Sequence, residues 1–205
     1  MTATLLPLAA LLAAALLLLA VAGALAPARD PCRWLPAATA AIAAAALLIG
    51  AAALAGGEAH LALPLGPPGL HATLALDPLS GFFLLPVSLP VIAAGVWAAA
   101  GREHRASPLF AAFPAGMLLT LLAGDPWTLI FGFELMSLSS WALLLGHAEE
   151  PEAAAAARLY LGMAVFGGVC LVPCFALLAG ADFAAMREAP PEGWRAALVL
   201  ALGLA

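Results

Sequence analysis

The chain opens on "TATLLPLAALLAAALLLLAVAGALA" (residues 2–26), an apolar run without one charged residue, and comparable runs recur to its last residue. A helix needs about 20 predominantly apolar residues to cross a hydrocarbon core of roughly 30 Å. Few architectures accommodate repeated runs of that length. In lipid every backbone N–H and C=O must be satisfied within the segment, which leaves α-helices or a closed barrel. These runs are continuous rather than alternating, so the expected fold is an all-α polytopic membrane protein. Composition agrees: charged residues make up 9% of the 205 residues, and mean hydropathy is +1.09. A soluble domain carries about 25% charged residues.

Six spans and the start of a seventh are expected in a single bundle, 1–205. They lie at about 3–26, 36–56, 79–100, 108–124, 126–146 and 155–179, with 194–205 incomplete. Trp34, Trp97, Trp127, Trp141 and Trp194 all fall near expected span ends, where amphipathic rings settle at headgroup level. The first segment, with "AGALA" near its end, resembles a signal peptide. It lacks a basic leading region, and its apolar run exceeds the usual 7–15 residues, so the expectation is a retained first helix.

Asp77-Pro78 and Asp125-Pro126 stand where spans three and five begin. Aspartate accepts a bond from an orphan backbone N–H at a helix start, and proline is pre-organised for the first helical position. Both aspartates are expected to cap helices at the membrane edge. Pro86, Pro90, Pro114 and Pro173 lie inside spans and are expected to kink or loosen those helices.

The seven basic residues are all arginines, and none forms a patch or tail, so nucleic-acid binding has no electrostatic support. Arg29 and Arg33 follow span one, Arg102 and Arg105 follow span three, and the loop after span two has neither Lys nor Arg. The positive-inside rule then puts the N-terminus outside in a multi-pass protein of the cell inner membrane or plasma membrane. The fifth loop is acidic, with Arg158 alone, and acidic residues count little in that rule. The second loop holds "HLALPL" and "HATLAL" around "GPPG", which predicts a short external β-hairpin. His60 and His71 sit at matching places in the two stretches, and two histidines are too few for a metal site. Cys32, Cys170 and Cys174 do not form a disulfide framework. Cys170 and Cys174 share a helix face as packing residues, without further metal ligands nearby. No cofactor-binding, phosphate-binding or hydrolase motif is present.

One residue breaks the apolar pattern. Glu134 lies eight residues into span five, roughly 12 Å deep at 1.5 Å per residue. A charge at the bilayer centre costs about 2.5–3.5 kcal/mol on insertion scales, and a glutamate is too short to reach either interface. It must face the bundle interior, either protonated or with a partner. Ser137, one turn on, can donate to Glu134 or bond its own backbone. Two roles remain open: a neutral interhelical hydrogen-bonding group, or a proton relay whose affinity is tuned by burial and a nearby cation.

The stretch "FGFELMSLSSWALL" (131–144) resembles the fifth helix of the antiporter-like subunits shared by complex I, Mrp-type antiporters and energy-converting hydrogenases. Its "ELMSLSS" wording is similar to the hydrogenase-4 component B and formate hydrogenlyase branch. "LALDPLSGFF" (74–83) resembles the family's start of helix three, and "AAAARLYLGMAVFGG" (154–168) its start of helix six. The resemblance implies that Glu134 is the family's buried glutamate, paired there with a lysine on helix seven. This chain has no lysine, and Arg158 lies at the expected membrane edge. The function so implied is the N-terminal portion of a proton-translocating subunit, without redox chemistry of its own. Its implied partners are other membrane subunits of a respiratory or hydrogenase complex, the lipid bilayer, and protons or sodium ions. The alternatives are a non-catalytic scaffold or truncated remnant packing against partner subunits, and an unrelated small transporter or channel.

Overall fold

The computed structural model describes residues 2–25, 34–66, 71–102, 109–146, 151–178, 182–188 and 190–204. Eight α-helices occur among these: α1 (Thr2–Leu25), α2 (Trp34–Ala53), α3 (Pro78–Trp97), α4 (Leu109–Leu121), α5 (Pro126–Leu145), α6 (Pro151–Leu177), α7 (Phe183–Glu188) and α8 (Trp194–Leu204). A five-residue π-helical turn, Ala98–Arg102, continues α3 and contains Gly101 at φ 78°. Strands β1 (Ala59–Ala62) and β2 (Thr73–Leu76) pair antiparallel between α2 and α3.

Five helices are long and apolar enough to cross a membrane: α1, α2, α3, α5 and α6. α4 departs from the expected span. Its 13 described residues make about 20 Å of helix at 1.5 Å per residue, short of the hydrocarbon core, and residues 103–108 before it lie outside the described residues. Its C-terminal end is taken by the hairpin. The Leu122 carbonyl accepts from Ala75 N–H at 2.8 Å, and Gly124 N–H donates to the Thr73 carbonyl at 2.8 Å. Residues 122–124 therefore extend along β2 rather than continue the helix, with Leu74 and Ala123 forming an isolated bridge. The other departure is α7, which is too short to announce itself by hydropathy.

α4 is also the central helix. Ala111, Ala112, Ala115 and Leu118 are buried on it, whereas α5 and α6 keep large apolar side chains such as Phe131, Leu138, Phe166 and Val169 exposed. The core joins Leu6, Ala9, Ala13 and Leu16 of α1 to Ala46, Ile49 and Ala53 of α2. Leu74 and Leu76 of the hairpin and Ala115 and Leu118 of α4 complete it. The first helix is thus packed as part of the bundle. α2 and α3 approach backbone to backbone at Gly50 and Gly81, where an added Cβ on Gly81 would lie 2.9 Å from both the Ala53 Cβ and the Gly50 carbonyl. Close approach at small residues is how helices associate without a hydrophobic driving force between them.

One end of the bundle gathers the starts of α1, α3 and α5, the ends of α2, α4 and α6, and the hairpin. Thr2 lies against Gly56, and Phe183 N–H donates to the Gly124 carbonyl at 3.1 Å. α8 returns along α6, with Cys174 Sγ 3.6 Å from the Val199 carbonyl. Cys170 and Cys174 are buried and free. Pro86, Pro90, Pro114 and Pro173 lie inside helices that run through them, as does Pro7. Cys32, Arg29, Arg33, Arg105, the "PPG" of the hairpin turn and residues 147–150 lie outside the described residues.

Candidate functional site

The start of α5 is set by Asp125, which is 3% exposed. Its Oδ1 accepts from Thr128 N–H at 2.9 Å, and its Oδ2 accepts from the Thr128 hydroxyl at 2.6 Å. This is the expected N-cap, but the same carboxylate also reaches the hairpin. Thr73 donates its N–H and its hydroxyl to Oδ2, at 2.5 and 2.9 Å. Four donors on one buried carboxylate keep it from being an orphaned charge. Asp77 caps α3 in the simpler way, through Ser80 N–H at 2.7 Å.

From this anchor α5 runs 20 residues, Pro126–Leu145, with Glu134 as its ninth. α4 fixes the turns on either side. An added Cβ on Gly116 would meet Met136 N at 2.5 Å, and one on Gly132 would meet Thr120 N and Oγ1 at 2.7 Å. With α4 pressed on the α5 backbone at 132 and 136, the Glu134 side chain projects toward α6 instead. There it is half-buried, and its carboxylate lies over Gly168: a Cβ built at Gly168 would run into Glu134 Oε1 and sit 3.3 Å from Cδ. Phe133 covers the neighbouring Gly167, 3.8 Å from an added Cβ.

The supporting residues divide. Ser137 is 3% exposed and shares the α5 face with Glu134. Ser139 uses its hydroxyl within the helix, donating to the Leu135 and Met136 carbonyls at 2.6 and 3.0 Å. Arg158 is exposed on α6. Ten residues, roughly 15 Å of helix, separate it from Gly168, so the guanidinium does not reach the carboxylate. Among the described residues Glu134 forms no ion pair; His60 Nε2 lies 3.9 Å from Glu58 Oε2 on the exposed side of the hairpin. The hairpin register sets His60 opposite Ala75 and leaves His71 outside both strands, so the two histidines do not match as the sequence stretches suggested. No group of three or more metal-ligating side chains occurs among the described residues.

What sequence reasoning missed is the second half of each contact. Thr73 carries no signal beyond lying in a β-rich stretch. Gly168 is marked only as one of two adjacent glycines in the middle of an apolar helix, where glycine is unfavourable.

No protein-family profile matches the chain. It is 31% identical over 126 residues to hydrogenase-4 component B of Escherichia coli (strain K12), an alignment covering 56% of this chain and 19% of that protein. Its fold matches a chain in the structure of the Mrp complex from Dietzia sp. DQ12-45-1b, with a TM-score of 0.74 and 24% identity. That alignment covers 99% of this chain and 40% of the other. A chain of the membrane-bound sulfane sulfur reductase, an archaeal respiratory membrane complex, aligns over 99% of this chain and 43% of its own length. Its TM-score is 0.67 and its identity 16%. The chain thus spans about a fifth of the curated relative and about two fifths of either structural neighbour. The resemblance to antiporter-like membrane subunits read from the helix-five wording holds in sequence and in fold, and the chain is a multi-pass membrane protein.

Proposed function

We propose that the chain is the N-terminal portion of a proton-translocating, antiporter-like subunit in a hydrogenase-type or complex I-like membrane assembly, with Glu134 as a relay carboxylate. The observation that carries this reading is the position of Glu134: ninth of 20 residues in an apolar helix, with its carboxylate turned onto α6 rather than to either end. A carboxylate so placed in a membrane helix is costly and marks ion or proton pathways. Similarity to hydrogenase-4 component B and to chains of two membrane complexes supports the same class.

The protein supplies three things to such a relay. Asp125 and its threonines fix where α5 starts, and so fix the depth of Glu134. The α4 backbone at Gly116 fixes the rotation of α5. The half-buried carboxylate leaves one side for a cationic partner from a neighbouring helix or subunit. A cation approaching there favours the ionised form, and its withdrawal favours the protonated form, so alternation between the two takes up and releases one proton.

We place the N-terminus and hairpin on the outer face. Arg102 and Arg158 lie toward the opposite end of the bundle, and the segments carrying Arg29, Arg33 and Arg105 join helix ends there in sequence. Arginine on that end supports its cytoplasmic assignment. The test of function is Glu134→Gln in the assembled complex: proton pumping is lost while assembly is retained.

A further inference from the structure

We infer that Gly168 is the positioning residue of the Glu134 carboxylate: its missing side chain provides the seat on α6 in which Oε1 rests. As a statement about proton transfer this rests on the relay reading above; as a statement about geometry it does not.

α6 carries Gly162, Gly167 and Gly168 within its apolar stretch, and they are not equivalent. A Cβ on Gly162 meets nothing within 4 Å, and one on Gly167 makes ordinary contact with Phe133 at 3.8 Å. Only at Gly168, of these three, does a Cβ collide, and what it collides with is Glu134 Oε1. Gly168 is buried, while Gly162 is exposed. Helix-interior glycine is unfavourable relative to alanine, so packing must explain Gly168, and the group packed there is a carboxylate.

The obstructing atom is the tip of a flexible side chain, not backbone. A methyl at position 168 therefore leaves α5 and α6 in place and drives Glu134 into another rotamer. The carboxylate moves by about the size of one methyl, and displacements near 1 Å are enough to slow a positioned reaction by up to about a hundredfold. Gly168 thus separates two properties that a substitution of Glu134 itself confounds: whether the carboxylate is present, and where it sits.

The experiment uses a hydrophobic carbodiimide on the full chain in native membranes, with modification at Glu134 measured by mass spectrometry of its peptide. Gly168→Ala is expected to change the rate of labelling at Glu134, while Gly162→Ala and Gly167→Ala leave it as in the parent. In the Glu134→Asp background, where the carboxylate is one methylene shorter, Gly168→Ala is expected to have no effect on labelling at this position. Equal labelling in Gly168→Ala and the parent overturns the inference, as does an equal change in Gly167→Ala. If Gly168→Ala fails to accumulate, Glu134→Ala with Gly168→Ala decides: restored accumulation supports the seat, and continued loss overturns it. Proton flux is read in the same membranes and falls about tenfold or more in Gly168→Ala. Unchanged flux in Glu134→Gln removes the relay reading but leaves the labelling result standing. Loss of flux in Glu134→Gln with unaltered labelling in Gly168→Ala removes the seat and keeps the relay.

Discussion

Thr73 and Asp125, 52 residues apart, are joined twice: the threonine N–H and hydroxyl both donate to Asp125 Oδ2. One carboxylate therefore starts α5 and ties it to the hairpin. The geometry makes Asp125 the joint that sets the level of Glu134 in the bundle, because any slip of α5 along its axis must break both Thr73 bonds, while the two from Thr128 travel with the helix.

Asp125→Ala is expected to destabilise the protein by about 2–4 kcal/mol, from the lost cap and from buried donors left unpaired. Asp77→Ala removes a simpler cap and is expected to cost about 1 kcal/mol. Thermal unfolding in detergent, followed by circular dichroism, compares the two; equal losses would mean that the Thr73 bonds contribute nothing.

Thr73→Val keeps the backbone donor and removes the hydroxyl, at an expected cost of about 1 kcal/mol. In a double-mutant cycle with Asp125→Ala the two losses should not add, since they break the same contact. Full additivity would show that the hydroxyl bond does not form.

Gly132→Ala places a methyl 2.7 Å from the Thr120 backbone nitrogen, where nothing can rotate away. A cost of about 1–3 kcal/mol is expected for overpacking. Gly162→Ala, in open space, should be neutral or slightly stabilising because alanine is the better helix former. Urea or thermal titration of both variants gives the contrast, and a neutral Gly132→Ala would contradict the tight α4–α5 crossing.

His60→Ala removes a contact with Glu58 in which the two side chains are each 56% exposed. Exposed pairs contribute about 0–1 kcal/mol, so its melting temperature should stay close to the parent's. A large loss would show that the pair is shielded in the assembled protein.

Among the described residues, the five helices long and apolar enough to cross a membrane overlap runs marked by hydropathy, because transfer of an apolar run into lipid depends on composition and length alone. The two Asp-Pro pairs announced helix starts for an equally local reason. What lay outside reach was contact between distant residues. That α4 ends at Leu121 depends on hydrogen bonds offered by β2, and that Asp125 holds Thr73 depends on the hairpin's docking. The depth of Glu134 could be counted along α5, but its direction could not. Its approach to Gly168 follows from how α4 rotates α5 and from the register of α6, neither of which leaves a periodic trace in an all-apolar helix. The hairpin shows the same division: alternation marked its strands, while the pairing register, which leaves His71 outside both strands, depends on contacts between the strands and left no local sign.

The proposed function has the carboxylate of Glu134 carry protons. Inverted membrane vesicles containing the assembled complex, energised by its own electron donor and acceptor, report proton uptake through quenching of a pH-sensitive dye. Glu134→Gln is isosteric and uncharged, so it keeps the packing on Gly168 and removes the titrating group. Loss of quenching at normal complex abundance is the predicted result, and quenching equal to that of the parent protein contradicts the account.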